Sequence, residues 1–334
     1  MRHQVARNPV LRAHHQARLQ ELSSEAGFSI SGFTEAIITD QDKANVQSFA
    51  LENSQNDLHW FNSHLQLRMH PSDILPGALS VLMLATIYRH PAMDAALENA
   101  KARLSRYAAG KDYHQVLRKK AARLADKFFD EFSSDLPDLS YRVTTDSAPV
   151  PEKILARMAG LGWQGKNTNL IHPELGSYFF LTGVFFNAEL ERSGEEGDSL
   201  FRPANFDRCG SCRQCIDACP TGALEPYRIQ ADRCLSYWTI EAKKDMPSEI
   251  AENTRTWVFG CDICQEVCPY NRGAKGKRQI TEEASFEPRE ALMEWMHTGD
   301  AESLSRNWDT LATSSPLKRA GLARLQASLR NVYR

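Results

Sequence analysis

CGSCRQCIDACPTGAL at 209–224, a single cysteine at 234, and GCDICQEVCPY at 260–270 together contain all eight cysteines of this 334-residue chain. The first run has the spacing C-x2-C-x2-C-x3-C-P, in which three cysteines wrap one iron-sulfur cluster and the fourth ligates a neighbouring cluster. The second run, C-x2-C-x3-C-P, is the reciprocal half of that pattern. The segment therefore predicts a binding site for two four-iron clusters.

Crossing the two runs gives two sets of ligands. The first cluster is assigned to Cys209, Cys212, Cys215 and Cys268. The second is assigned to Cys219, Cys261, Cys264 and Cys234, the only cysteine left. A zinc site is the alternative, but zinc sites usually present paired CxxC or HxxxH motifs and close at four ligands. A disulfide framework belongs to secreted and usually smaller chains, so it fits less well than the clusters.

The bulk composition is that of a globular protein with room for two domains. Hydrophobic residues make up 42% and charged residues 25%, and the net charge of -2 identifies no partner. The distribution of charge is more informative. Residues 101–127 hold nine Lys/Arg and two acids, and residues 316–334 hold five Lys/Arg and no acid. Both stretches are candidates to face a polyanion, although such a face is more often simply solvated.

No targeting or membrane segment is expected. The N-terminal twenty residues lack the apolar core of a secretory signal and have no twin-arginine pair. The longest apolar stretch, 79–88, is too short to span a bilayer. We therefore expect a cytoplasmic protein, in which thiols stay reduced and available for clusters.

The pattern of apolar residues predicts alternating helices and strands. Strands are expected at 28–33, 79–88, 141–146 and 176–186, with 79–88 as a buried central strand. Helices are expected at 10–26, 41–52, 56–69, 112–132, 151–159, 286–297 and 317–330, with Pro151 at the first helical position. The acidic stretch 191–198 is expected to link the N-terminal part to the cysteine segment.

The segment GLGWQGK at 160–166 matches a dinucleotide fingerprint in letters only. That fingerprint needs a strand before it and a helix after it, whereas a helix is expected before this segment and TNLI follows. A glycine-shaped turn at the edge of a large ligand is the favoured interpretation.

Asp146 follows a predicted strand and precedes Pro149 and Pro151. An aspartate in this position commonly stabilises the following turn or helix start. The same position suits a general acid, provided that burial raises the pKa of the carboxyl group. The sequence alone leaves both roles open. Tyr113 and His114 are likewise either structural residues or ligand contacts.

Several segments resemble one family in content and order. These segments are RYAAGKDYH (106–114), TDSAPVPEK (145–153), AGLGWQGKNTNLIHPELGSYFFL (159–181), the first cysteine run, RCLSYWTIE (233–241) and YN after GCDICQEVCP. Together they resemble the epoxyqueuosine reductases from about Ile74 to Asn271, with a weaker similarity in SSPLKRAG (314–321).

The resemblance implies an oxidoreductase that reduces epoxyqueuosine to queuosine at the wobble position of tRNA, the last step of queuosine biosynthesis. It implies base-off cobalamin as a cofactor beside two 4Fe-4S clusters. The partners implied are tRNA with a GUN anticodon carrying epoxyqueuosine and a low-potential electron donor of the ferredoxin or flavodoxin type.

The resemblance also implies an α+β architecture. A nitroreductase-like α/β domain that binds cobalamin is expected over 1–195, a ferredoxin-like domain with both clusters over 200–275, and a helical C-terminal segment over 276–334. Asp146 takes the place of the proton donor. The implied cobalamin contacts are Tyr113, Asp146, Lys153, Lys166, Asn167 and Ser236. Because the corrin and burial disfavour the charged carboxylate, we expect the pKa of Asp146 to be raised.

The chain departs from the family pattern at two places. It has D-S-A where the family usually has a glycine in the third position, which affects the loop around Asp146. It also ends too soon for the C-terminal helical repeats that some members carry. Two other functions remain open at this stage: a reductive dehalogenase with the same cofactors, and a ferredoxin-type electron-transfer protein, which leaves the 140–180 motifs without a purpose.

Overall fold

A computed structural model describes residues 8–146, 148–191, 207–273 and 280–333. Its strands are β1 (Val10–Leu11), β2 (Ile30–Glu35), β3 (Ser80–Ile87), β4 (Arg103–Leu104), β5 (Tyr141–Thr144), β6 (Trp163–Gln164), β7 (Leu170–Ile171), β8 (Phe179–Phe186), β9 (Glu189–Leu190), β10 (Leu224–Glu225), β11 (Arg228–Ile229) and β12 (Trp257–Phe259). The mixture of helices and strands agrees with the α+β class.

The helices are α1 (Ala13–Glu25), α2 (Asp40–Glu52), α3 (His59–Asn62), α4 (Leu65–Met69), α5 (Pro91–Glu98), α6 (Tyr113–Phe132), α7 (Glu152–Met158), α8 (Gln214–Asp217), α9 (Ser248–Ala251), α10 (Ile263–Glu266), α11 (Glu290–Thr298), α12 (Ala301–Arg306), α13 (Trp308–Ala312) and α14 (Gly321–Val332). The predicted helix 56–69 is wrong in its continuity, because the chain turns at Ser63 and His64 into two short helices. Pro151 precedes α7 instead of starting it. The predicted linker 191–198 lies, apart from Glu191, outside the described residues.

The centre of the fold is a four-stranded antiparallel sheet with the order β2-β3-β8-β5. Every residue of β3 is buried, as the apolar run predicted. Leu82 and Leu84 pack with α1 and α6 on one face, while Val81, Met83 and Ala85 pack with α7 on the other. Full burial of each large aliphatic side chain contributes about 1.5–3 kcal/mol to folding. The sheet is therefore a rigid support for the loops at its edge.

The cysteine segment is joined to the N-terminal part by a strand pair and a buried ion network. β12 pairs in parallel with β4. The guanidinium of Arg106 contacts Asp94 at 2.7 Å, Glu266 at 2.8 Å and Asp262 at 3.2 Å. Arg106 and Asp262 are buried, so removal of either partner leaves an uncompensated charge at a cost of about 3–5 kcal/mol. This network fixes α10, which carries Cys264, against the sheet domain.

The C-terminal helices share a core with both preceding parts of the chain. Leu292 of α11 and Leu325 of α14 pack in one cluster with Trp257 and Phe259 of β12 and with Leu97 of α5. The helical tail therefore packs against the cysteine segment and the N-terminal part together. The predicted domain boundaries at 195–200 and 275–276 remain predictions.

Candidate active site

The first predicted set of cysteines surrounds one cavity. Cys209, Cys212, Cys215 and Cys268 all line this cavity, together with Tyr270. The eight cysteines are within the described residues, and all are free thiols. Burial and then the charges of Cys209 and Cys268 raise the pKa of the Cys215 thiol to about 11. Four converging thiols that repel one another when ionised form a donor set suited to iron.

The second predicted set is brought together around Cys234. Burial, followed by the neighbouring charges of Cys234, Asp262, Cys215 and Cys219, raises the pKa of Cys264. Desolvation also raises the pKa of the half-buried Cys261 thiol, and the charges of Cys264 and Cys234 raise it further. Cys234 itself lies between two helical turns, where Leu235 and Trp238 pack around it. The structure thus places Cys234 close to Cys219, Cys261 and Cys264, the three cysteines that still need a fourth ligand. The assignment of Cys234 as that ligand stays a prediction.

Asp146 lies two residues after β5 in a left-handed conformation, with φ of 51°. Such a conformation is uncommon for a residue with a side chain and needs support from its surroundings. The Asp146 N–H donates a hydrogen bond to Oε1 of Glu152 at 2.8 Å. The carboxylate accepts a short hydrogen bond from the Tyr113 hydroxyl. The backbone is therefore held so that this carboxylate faces the start of α6.

Two residues at the start of α6 form the other half of the Asp146 site. The ring of Tyr113 stacks on Phe180 of β8 with the centroids 3.9 Å apart. His114 Nε2 lies 3.4 Å from Asp146 Oδ2. Its Nδ1 lies 2.6 Å from Oδ1 of Asp112, the residue that caps α6. His114 therefore bridges two carboxylates, a geometry that can pass a proton between them.

The titration of the site differs from our expectation. Burial raises the pKa of Asp146, but hydrogen bonds from His114 and Tyr113 outweigh burial, and the pKa of Asp146 is lowered. The prediction of a raised pKa at Asp146 is therefore wrong. The raised pKa belongs to Glu152, for which burial and the charge of Asp146 raise it to about 8. Hydrogen bonds to Asp146 and Asp112 also raise the pKa of His114 against the opposing effect of burial.

Glu152→Gln is expected to remove part of the pH dependence of stability. Folding raises the pKa of Glu152 from about 4.3 to about 8, so the folded wild type binds the extra proton in this window and loses stability as the pH rises through it. Glutamine does not titrate and accepts the same hydrogen bond from Asp146. Thermal denaturation of the cluster-loaded proteins from about pH 5 to about pH 9 should show that the stability of the variant rises relative to that of the wild type as the pH rises. If the melting temperatures of both proteins changed with pH in parallel, the assignment of the raised pKa to Glu152 would be contradicted.

The Gly-Lys-Asn segment contacts both cysteine loops. Lys166 Nζ donates hydrogen bonds to the carbonyl oxygens of Gly210 and Cys212. The buried Asn167 donates through Nδ2 to the carbonyl oxygen of Cys264 at 3.2 Å. These hydrogen bonds hold the loop of Gly210 and Cys212 and the loop of Cys264 in a fixed position relative to each other. The structure therefore places Lys166 and Asn167 against the cluster loops, while their predicted contact with cobalamin remains untested.

The glycines of this segment lie on both sides of β6, and Gly165 begins the turn from β6 to β7. Gly162 has φ of +150°, and a Cβ there would lie 2.3 Å from the carbonyl oxygen of Ile171. β7 follows the turn where a nucleotide fingerprint would have a helix. The interpretation as a glycine-shaped turn therefore agrees with the structure.

Lys153 and Ser236 lie on two sides of the site. Lys153 Nζ donates to the carbonyl oxygen of Thr168 at 3.3 Å and to Oδ1 of Asn169 at 3.4 Å. Its charge also acts on Asp146. Ser236 bonds to the Cys234 thiol through both its backbone and its hydroxyl. Of the predicted contacts, Tyr113 and Lys153 are thus near Asp146, and Ser236 is beside a cluster cysteine.

Sequence reasoning missed Glu152 and Arg68. Glu152 belongs to TDSAPVPEK, so a polar side chain six residues after Asp146 was a detectable signal. The sequence around Arg68 gives no signal of a role in the site, yet the charges of Asp146 and Glu152 act on Arg68 in the structure.

Comparison with known proteins identifies the family. A family profile described as "Epoxyqueuosine reductase QueG, DUF1730" matches residues 68–147, and one described as "4Fe-4S double cluster binding domain" matches residues 208–271. Epoxyqueuosine reductase of Leadbetterella byssophila is 36% identical over 82% of this chain and 84% of its own length. This chain belongs to the epoxyqueuosine reductase family. The family and the oxidoreductase class predicted from the sequence are confirmed.

Two solved epoxyqueuosine reductase structures resemble the fold. One, with an epoxyqueuosine-modified tRNA-Tyr stem loop, is 28% identical with a TM-score of 0.74. The other, from Bacillus subtilis with its catalytic Asp loop swung out of the active site, is 27% identical with a TM-score of 0.75. Each comparison covers 96% of this chain and 80% of the other.

The double-cluster profile confirms two iron-sulfur clusters as cofactors. Among the described helices, none has the length and apolarity needed for a membrane span.

Proposed function

We propose that this protein reduces epoxyqueuosine to queuosine in tRNA at a site centred on Asp146. The observation that carries the proposal is the convergence of Asp146, Tyr113 and His114 near Lys153, on which the charges of both Asp146 and Cys264 act, in a chain of this family. The reaction consumes two electrons and two protons, breaks both carbon–oxygen bonds of the epoxide and releases water. It therefore needs a source of single electrons and a positioned acid.

Clusters held by the two cysteine sets would supply the electrons one at a time. Bound cobalamin would supply a low-potential cobalt centre able to act as a nucleophile or electron donor toward carbon. A corrin is rimmed by amide side chains, which need hydrogen-bonding partners along an otherwise apolar edge. Tyr113 and Lys153 provide such groups near Asp146, and Ser236 provides one at Cys234, so the residues present fit this cofactor.

Asp146 is the proposed proton donor to the epoxide oxygen. His114, whose pKa is raised, passes a proton to the Asp146 carboxylate across the 3.4 Å contact, and Asp146 then gives that proton to the epoxide oxygen. Tyr113 orients the carboxylate through its hydroxyl. A catalytic Asp on a loop that can leave the active site, as in the Bacillus subtilis enzyme, is consistent with the left-handed backbone of Asp146.

The proposed substrate is tRNA with a GUN anticodon. A solved relative is complexed with a modified tRNA stem loop, and loop bases are those that a protein can splay out and read. A basic groove along α6 begins near His114, and its cationic lining residues are Lys111, Lys119, Lys120, Arg123 and Lys127. The groove suits the backbone of the stem. A ferredoxin or flavodoxin type of protein is the proposed electron donor.

Lys119→Glu combined with Arg123→Glu is expected to weaken stem-loop RNA binding by more than about tenfold. Within the described residues neither side chain has an ion pair, whereas Lys120 pairs with Glu283 and Lys127 with Glu25. The effect should be equal for modified and unmodified RNA, because phosphates carry no base identity. Fluorescence anisotropy of labelled stem-loop RNA across a salt series measures the affinity.

The control for this pair is Lys43→Glu with Arg306→Glu, which changes the net charge equally on another part of the chain. If both double variants bind as the wild type does, the α6 face is only solvated.

The comparisons favour epoxyqueuosine reduction over a dehalogenase or a simple electron-transfer protein. Expression of this chain in a bacterium that accumulates epoxyqueuosine should restore queuosine in its tRNA, as measured by mass spectrometry of nucleosides. The Asp146→Asn variant is the matched negative control. Continued accumulation of epoxyqueuosine with the wild-type chain at normal expression would argue against the proposal.

A further inference from the structure

Trp163 of β6 connects the glycine-containing segment 160–166 to the first predicted set of cysteines. Trp163 is 2% exposed. Its indole Nε1–H donates a hydrogen bond to Sγ of Cys209 at 3.5 Å, although 46 positions separate the two residues in the sequence. A buried indole N–H usually finds a hydrogen-bond partner, and a charged acceptor is bonded more strongly than a neutral one. The thiolates that hold an iron-sulfur cluster are such charged acceptors.

The backbone around Trp163 fixes the position of the indole. β6 pairs with β7 in an antiparallel register that sets Trp163 opposite Ile171. The absence of a side chain at Gly162 permits this close approach, since a Cβ there would lie 2.3 Å from the Ile171 carbonyl oxygen. The backbone N–H of Lys166, at the end of the same segment, also bonds to the Cys209 sulfur. The segment therefore directs two N–H groups at one cysteine.

The ring of Trp163 also belongs to a small apolar wall beside the same cysteines. It meets the ring of Tyr270 edge to face, with the centroids 4.8 Å apart and the planes at 75°. Trp163, Ile171, Tyr270 and Cys268 form one buried cluster, and Cys209 packs against it. The indole thus has two separate effects on an iron-sulfur cluster held there, because its ring excludes water and its N–H donates a hydrogen bond.

These two effects change the reduction potential in opposite directions. Reduction by one electron adds negative charge to the cluster and to its sulfur ligands. A donor directed at a ligand sulfur therefore stabilises the reduced form more than the oxidised form and raises the potential. Exclusion of water lowers the potential, because it removes solvation from the more highly charged form. A substitution that removes the N–H but keeps a ring separates the two effects.

We propose that Trp163 controls the electron supply of this enzyme by donating its indole N–H to the Cys209 sulfur in the cluster-loaded protein, which raises the reduction potential of the first cluster. The first cluster is then easier to reduce by the external electron donor. Trp163 acts through the Cys209 sulfur and takes no part in proton transfer at Asp146. The inference deepens the proposed function and rests on it for its purpose, whereas the potential itself can be measured without any substrate.

The test is a potentiometric titration of anaerobically reconstituted protein, followed by electron paramagnetic resonance. Trp163→Phe keeps a ring against Tyr270 and removes the N–H. The equilibrium constant for one-electron reduction of the first cluster should fall about tenfold, a decrease of about 59 mV in the potential, and that of the second cluster should stay unchanged. In Cys234→Ala, which we expect to hold the first cluster alone, the added Trp163→Phe substitution should give the same decrease.

Trp295→Phe is the matched control. Trp295 is also buried, and its Nε1 donates to the carbonyl oxygen of Asp300 at 3.0 Å instead of to a cysteine. The control removes one indole N–H, as Trp163→Phe does, and should leave both potentials unchanged.

A second measurement needs no substitution. Wild-type protein labelled with nitrogen-15 at its six indole nitrogens should show, in pulsed electron paramagnetic resonance of the reduced protein, a hyperfine coupling between an indole nitrogen and a cluster. Trp238 also packs near Cys234, but its Nε1 already donates to the carbonyl oxygen of Asp232 at 2.6 Å. We therefore expect the coupling to come from Trp163.

Three results would overturn the inference. The first is wild-type potentials in an iron-loaded Trp163→Phe variant, which would leave Trp163 with packing alone. The second is an equal decrease in Trp295→Phe. The third is the absence of any indole coupling in the labelled wild-type protein. Failure of the wild-type protein to convert epoxyqueuosine, with the decrease in potential present in Trp163→Phe, would instead count against the proposed function. The two failures are therefore distinguishable.

Discussion

Asp146→Asn should turn over epoxyqueuosine more slowly by a factor on the order of 100 or more, the usual contribution of a general acid. Asparagine keeps the size of the side chain and can still accept a hydrogen bond from Tyr113, but it offers no acidic proton. The variant should fold, hold both clusters and bind stem-loop RNA as the wild type does. Single-turnover assays that follow queuosine by mass spectrometry measure the loss.

Asp138→Asn is the matched control, since Asp138 is exposed and lies in the loop before β5. It should leave turnover unchanged. Near-normal turnover by Asp146→Asn would show that water or another residue supplies the proton. Asp146 would then be a turn-stabilising residue, the other role that the sequence left open. A loss in Glu152→Gln with normal turnover in Asp146→Asn would transfer the acid role to Glu152.

Cys234→Ala should lower the iron content of anaerobically reconstituted protein from about eight to about four atoms per chain. The physical reason is that we assign Cys234 as the fourth ligand of the set with Cys219, Cys261 and Cys264, whereas all ligands assigned to the other cluster lie elsewhere. Iron analysis and the electron paramagnetic resonance spectrum of the reduced protein measure the loss. The remaining signal should be that of a single cluster.

Ser236→Ala tests whether the effect is specific to the thiolate, because Ser236 contacts the same sulfur without being a ligand in this account. It should keep about eight iron atoms. An undiminished iron content in Cys234→Ala would remove Cys234 from the ligand set. About one zinc and no iron in the wild type would refute the cluster assignment itself.

The sequence was most informative where structure is local. The buried strand β3 and the amphipathic α6 follow from apolar spacing alone. The cysteine sets follow from ligand spacing, which is a property of short loops. Helix α5 was not predicted although Met93, Ala96 and Leu97 have helical spacing, because the segment is short. The break between α3 and α4 could not be predicted, since Leu58 and Phe61 pack on residues about 170 positions later.

The titration of the site depended on contacts between distant segments. Asp146 is two residues after β5, while Tyr113 and His114 start α6, and only the packing of α6 on the sheet brings them together. Their hydrogen bonds lower the pKa of Asp146, which is the opposite of the expected shift. The group with the raised pKa is Glu152 instead. Arg68 is a further case. Its ring contacts, Trp60 and Phe61, are close in sequence, whereas Asp146, whose charge acts on it, belongs to a distant segment.

The most direct test of the central claim is conversion of a defined RNA by the purified protein. Cluster-reconstituted protein, cobalamin and a low-potential reductant are incubated anaerobically with an epoxyqueuosine-containing stem loop, and the nucleosides are analysed by mass spectrometry. The account predicts queuosine with the complete mixture and none when cobalamin is omitted or when apoprotein without iron is used. Unchanged epoxyqueuosine in the complete mixture, with both clusters and the corrin present by spectroscopy, would contradict it.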